Sequence, residues 1–132
     1  KGFYDYLEGS DKHLWPVLTT HYPVSDNQPE QQELIDRLLY IQANESAKCY
    51  EENVVRSVAD ANVGSLFGWG FAPNHGGTLQ FINSVGVEHF VQHSRELAEA
   101  YGERFAPAKI LVDMAESGKT FGDVVGGGEN HD

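Results

Sequence analysis

The sequence predicts an all-α domain of about five helices. Three observations carry that expectation. Apolar residues recur at helical spacing over long stretches, most clearly from Leu34 to Val54. Glycines and prolines fall between such stretches, at Gly68 and Gly70, Gly86, Gly102, Pro107 and Gly118, where helices stop and start. Strand-like alternation is nearly absent after residue 6. The chain has 132 residues, which fits one domain. A chain of that size can bury roughly 70% of its unfolded surface.

The opening KGFYDY alternates aromatic and polar residues and reads as a short extended piece, ended by Glu8-Gly9-Ser10. It begins without methionine and in mid-pattern, as a piece of a longer chain would. Pro16 is expected in the first turn of a short helix carrying Leu14, Trp15, Val17 and Leu18. VSDNQP has the chemistry of a loop. The first long helix is placed at about 29–53, with Glu30 and Glu33 where the dipole favours acids. Leu34, Ile35, Leu38, Leu39, Ile41, Cys49, Tyr50 and Val54 give its apolar pattern. Ser57-Val58-Ala59-Asp60 is a helix start signal for a second helix over 58–67. A third runs from the Gly76-Gly77-Thr78 turn to Gly86, a fourth over 87–101 with Gly102 as its stop. Pro107 opens a fifth, with Ile110, Leu111 and Met114, closed by Gly118. The Gly-rich end, 122–132, is expected to be disordered.

Composition narrows the function. The formal net charge is −11. Nucleic acids and anionic membranes need a basic footprint, so neither is expected as a partner. No apolar run reaches the roughly 18 residues of a membrane span, and the first residues are not those of a signal peptide. Cys49 is the single cysteine, so no internal disulfide forms, which suits a reducing compartment.

The Gly-rich stretch GWGFAPNHGG is the first candidate for chemistry, because a glycine turn feeding a helix can cradle a phosphate. Gly68-Trp69-Gly70 begins like a dinucleotide fingerprint, but its sixth position is Pro73 and a helix precedes it. Gly76-Gly77 is followed by Thr78, without the lysine of a phosphate loop. No Lys or Arg lies between Arg56 and Arg95. The stretch is therefore read as a structural corner built on Gly68, Gly70, Pro73, Gly76 and Gly77. Glu45 falls within the same wheel arc as Leu34, Leu38 and Cys49, where a carboxylate needs donors. It is expected to accept backbone hydrogen bonds from the amides at Asn74–Thr78; the alternative is a slightly rotated helix with Glu45 in water. His89, His93 and Glu96 share a helix face and could clamp a metal, but Phe90 replaces the glutamate of the zincin pattern. A solvated face is the preferred reading. Cys49 is read as a buried small hydrophobe. His75 has no visible orienting partner and is read as structural or solvent-facing.

Taken together, DRLLYIQANESAKCYEENVV and ADANVGSLFGWGFAPNHGGTLQFINSVGVEHFV resemble the C-terminal domain of 3-hydroxyacyl-CoA dehydrogenases. More narrowly, they resemble the last helical unit of the multifunctional fatty-acid β-oxidation proteins. The carrying motifs are D-R-L-L…N-E-x-x-x-C-x-E at 36–51 and G-x-G-F-x-P-x-x-G-G at 68–77. Ser46 stands where the family usually has Ala, and Ala72-Pro73-Asn74 where it has a Pro-Pro pairing. KGFYDY resembles the segment that closes the preceding unit and KHLWP the link that follows it. The resemblance divides the chain into 1–23, closing segment and linker, and 24–121, the helical domain.

The resemblance implies an all-α fold like the C-terminal domain of 6-phosphogluconate dehydrogenase. It implies a parent that oxidises (3S)-3-hydroxyacyl-CoA with NAD, fused to enoyl-CoA hydratase. Partners would be the dehydrogenase and hydratase domains of that parent and a thiolase subunit, in bacterial cytoplasm or mitochondrial matrix. In the catalytic copy of the helical unit an Asn precedes RLL; here that position is Asp36. The chain thus corresponds to the second, non-catalytic copy, with no catalytic, cofactor-binding or metal residue of its own. Its apolar stripes on the first and fourth helices are expected to pack against neighbouring domains, with a homodimer in their absence. A stand-alone helical interaction module and a small metalloenzyme using His89, His93 and Glu96 are the rival readings.

Overall fold

A computed structural model describes residues 2–6, 9 and 11–122. The expected disordered end lies, from residue 123 on, outside the described residues, as do Glu8 and Ser10. The chain divides into two units, Lys1–Glu30 and Gln31–Asp132. The helical unit thus begins with the first long helix; the sequence-based division also assigned it the loop 24–30.

In the first unit, β1 (Tyr4–Asp5) pairs antiparallel with β2 (His13–Leu14), with Tyr4 opposite Leu14 and Asp5 opposite His13. The Trp15 amide extends the pairing by donating to Phe3 O at 3.0 Å. The helix α1 covers only Leu18–His21. Leu14 and Trp15 therefore lie outside the short helix expected there. Pro16 explains the shift, because the residue before a proline is pushed out of the helical region toward extended backbone.

The second unit carries the other helices. α2 spans Gln31–Glu51 and α3 spans Val58–Gly68. A 3-10 turn, Pro73–His75, leads to α4, Thr78–Val85. α5 spans Val87–Tyr101. A second 3-10 turn, Glu103–Phe105, precedes α6, Lys109–Ser117. Each long helix predicted from the sequence is present, with ends within about two residues. The start signal of α3 works as read: Ser57 Oγ accepts from the Asp60 amide at 3.0 Å.

α4 sits at the centre, packed on α2, α3 and α5, while α6 packs on α5 and α2. The core is aromatic where α2, α4 and α5 meet. Tyr40 stacks on Phe90 at 4.4 Å and meets Phe81 edge-on at 5.6 Å. Leu79, Ile82, Phe90 and Leu111 are completely buried.

The buried face of α2 differs from the expected one. Tyr40, Ala43, Asn44, Ser46, Ala47 and Tyr50 face inward, while Leu34 and Leu38 are exposed and Cys49 is only half-buried. Small residues at 43, 46 and 47 let the neighbouring helices approach closely, and two tyrosines flank them. Of the expected aliphatics, Leu39 and Ile41 pack half-buried against the core, whereas Leu34, Ile35 and Leu38 lie outside that contact. Of the apolar stripe expected on α5, Phe90, Val91 and Leu97 are buried and Ala98 and Tyr101 are half-buried, so it leaves little surface for the neighbouring domain it was expected to meet.

Candidate functional site

The Gly-rich corner between α3 and α4 is held by side chains of α3. Asn62 Oδ1 accepts from the amides of Leu79 and Gln80, each at 3.0 Å. Ser65 Oγ accepts from the Thr78 amide at 3.1 Å and donates to Asn62 O. The first three amides of α4 are thus all paired within the chain. These are the donors that would grip an anion at a helix start. Gly77 completes the seal. Its φ is +111°, and a Cβ there would fall 2.4 Å from Asn62 Cα, so only glycine lets α3 pass this close. Phe71 N donates to Ser65 O at 3.0 Å, closing the turn behind Gly68 and Gly70.

Glu45 takes no part in the corner. Its side chain is 67% exposed and its nearest charged partner is Lys48 Nζ at 3.4 Å. The expected tie to Asn74–Thr78 is therefore corrected: α2 is rotated and Glu45 is wet. The buried polar residue of α2 is its neighbour, Asn44. Asn44 Nδ2 donates to Ala106 O at 2.7 Å and Oδ1 accepts from the Ala108 amide at 2.9 Å. The carboxamide brackets Pro107 and fixes where α6 begins. Asn83 does the same for the end of the described chain, exchanging two hydrogen bonds with the backbone of Phe121, both at 2.9 Å. Sequence reasoning missed Asn44, Asn62 and Asn83. The available signal was an asparagine, with both a donor and an acceptor, inside an apolar arc.

The histidines form a second cluster. Asp36, Tyr40, His75, His89 and His93 line one groove of about 580 Å³. His93 Nδ1 lies 3.0 Å from Glu96 Oε2. Its Nε2 lies 3.3 Å from Asp36 Oδ2, close enough for charge attraction but without hydrogen-bond alignment. Both ring nitrogens therefore face carboxylates. His89 is exposed and stacks its ring parallel to that of His93 at 6.2 Å. His75 packs its ring on Phe81 at 4.9 Å, half-buried. Among the described residues, no three of His, Cys, Asp and Glu converge as a metal cage. The face carrying His93 was expected to be solvated; instead His93 is half-buried where α5 meets α2, with Asp36 of α2 and Glu96 of α5 beside its ring nitrogens.

The carboxylates of this seam shape their surroundings. Burial, then the nearby carboxylates of Asp36 and Glu96, push the Tyr40 hydroxyl up to about 12. Hydrogen bonds from Gln92 and then His93 hold the Glu96 carboxyl below its usual range. Further along the same seam Tyr101 donates to Glu33, which raises the Tyr101 hydroxyl, and Arg37 lies over the Tyr101 ring at 4.0 Å.

Fold and corner together define a helical domain in which Asn62 and Ser65 pair the first amides of α4 and Asn44 pairs the backbone ahead of α6. Against known proteins, the chain is 37% identical over 92% of its length to the fatty acid oxidation complex subunit alpha of Shewanella loihica. It is 38% identical over 92% of its length to the same subunit of Idiomarina loihiensis. No family model matches it. The chain is a homologue of a segment of fatty acid oxidation complex alpha subunits, and it spans about 17% of their length.

Proposed function

We propose that this chain is the second, non-catalytic helical domain of a multifunctional fatty-acid β-oxidation enzyme. The parent would be an NAD-dependent (3S)-3-hydroxyacyl-CoA dehydrogenase joined to an enoyl-CoA hydratase, and it would work in the bacterial cytoplasm. NAD and the acyl-CoA would be handled by other domains of that parent. The domain's own work is packing against them, with a thiolase subunit as a more distant partner.

One observation carries the non-catalytic part of this reading. The amides at the start of α4, the best anion grip in the corner, are already occupied by Asn62 and Ser65. The packing role is supported by the apolar side chains left outside: Leu38 is 65% exposed, Phe67 87% and Trp69 57%. A charge of −11 opposes self-pairing through that surface, so we favour domains of the parent as its cover.

The test is co-expression of the tagged chain with the remainder of its parent reading frame as a separate piece. The expected result is co-purification, lost in the Leu38→Glu, Trp69→Glu double variant. Co-purification unaffected by that variant, or no association of the native pair, overturns the packing assignment.

A further inference from the structure

Trp69, one of the exposed apolar side chains, borders a groove that the fold leaves open. It runs between α2 and α3 and has a volume of about 480 Å³. Ser46 and Cys49 of α2 form one wall, and Ala61 and Gly64 of α3 the other. Trp69 closes one end and is held there by its indole N–H, which donates to Gln42 Oε1 at 3.0 Å. The ring is fixed at its polar edge while its apolar body stays more than half exposed.

Gly64 sharpens the reading. It lies within α3, where glycine weakens a helix relative to alanine. A Cβ at Gly64 would meet nothing within 4 Å, so packing inside this chain does not call for glycine there. The missing side chain instead opens the floor of the groove to the backbone of something outside.

Charge selects the occupant. Glu45 and Asp60 are the carboxylates on the lining, and both are exposed. Lys48 reaches Glu45 from the α2 side but does not line the groove. From residue 57 to 94 there is no Lys or Arg, so α3, the corner and α4 contribute no cation. A second copy of this chain would bring like charge to an acidic rim.

We propose that the α2–α3 groove docks an amphipathic helix whose apolar face enters over Gly64 and Trp69 and whose flanks carry Lys or Arg opposite Glu45 and Asp60. Helix-in-groove recognition of this kind uses apolar anchors one turn apart, with flanking charges setting orientation. The inference deepens the packing role proposed above by naming the chemistry of the partner. It rests on that role only for the existence of a partner.

The test uses the chain with Trp15→Phe, so that Trp69 alone reports. It is titrated with a synthetic helical peptide bearing leucines on one face and lysines on the flanks. The same peptide with glutamates for lysines is the control. The expected result is a saturable blue shift of Trp69 emission with the lysine peptide and affinity about tenfold or more weaker for the glutamate peptide, since each factor of ten is a modest electrostatic difference. Gly64→Leu, checked for folding by circular dichroism, fills the groove and lowers lysine-peptide affinity by a similar factor. The Glu45→Gln, Asp60→Asn pair weakens the lysine peptide alone. Equal binding of both peptides, no saturable shift, or undiminished binding by folded Gly64→Leu overturns the proposal. So does sedimentation showing a dimer of the chain that Gly64→Leu dissociates, because the occupant would then be a second copy. These readouts are independent of parentage, which the co-purification experiment addresses.

Discussion

Asn62 carries more of the corner than any glycine in it. Its single carboxamide oxygen satisfies two amides of α4, and its backbone sets the clearance that Gly77 must respect. Asn62→Ala leaves both amides short of a partner at a half-buried site. Loss of a helix-start acceptor of this kind costs about 1–3 kcal/mol. Glu45→Gln, at an exposed side chain whose charged neighbour is one lysine, should change stability by less than about 0.5 kcal/mol. Urea unfolding of the two variants measures the contrast, and equal losses would mean that Glu45 reaches the corner after all. The sequence already indicated that the corner was structural, because the phosphate motifs failed in their flanking residues. It did not indicate which side chain held it. Successive helix positions differ by about 100°, so an error of one residue exchanges the buried Asn44 for the wet Glu45. Hydropathy favoured that error, since Leu34 and Leu38 drew the wheel toward their own face.

At the scale of elements, helix boundaries were legible because their punctuation is local. Ser57, Gly86, Gly102 and Gly118 mark ends through capping and backbone conformation alone. Which face each helix turns inward depends on its neighbours, and that was not legible. The α2–α5 seam shows the consequence: Asp36 and Tyr40, one turn apart on α2, share a groove with His93, more than fifty residues further on. The raised Tyr40 hydroxyl gives that seam a pH signature. The unfolded chain releases the tyrosine proton near pH 10, whereas the folded chain holds it to about 12. Between those values the unfolded state binds fewer protons, so stability is fully present below pH 10 and falls as pH rises toward 12. Tyr40→Phe keeps the ring on Phe90 and should flatten this alkaline loss. Unfolding midpoints of the two proteins across that range check it, and parallel alkaline losses would place the titrating group elsewhere.

For the whole molecule, the main asymmetry lies between inside and outside. Inside, asparagines bracket the turns, aromatic rings fill the centre and the corner amides are paired, although Thr78 Oγ1, Ser94 Oγ and His93 Nε2 are buried without a hydrogen-bond partner. Outside, Leu34, Leu38, Phe67 and Trp69 lie uncovered on α2, α3 and the turn after it. Large apolar side chains left uncovered over a packed core are what a domain held within a larger assembly looks like. The relationship to fatty acid oxidation complex alpha subunits, of which the chain spans about 17%, fits that asymmetry. The central claim is that the chemistry of such a parent happens outside this chain. The direct measurement is NADH consumption by the purified chain with acetoacetyl-CoA, at enzyme concentrations where a complete dehydrogenase would exhaust the NADH. The account predicts no consumption above the rate without protein. Turnover that scales with chain concentration, and is lost in His93→Ala or His75→Ala, would contradict it.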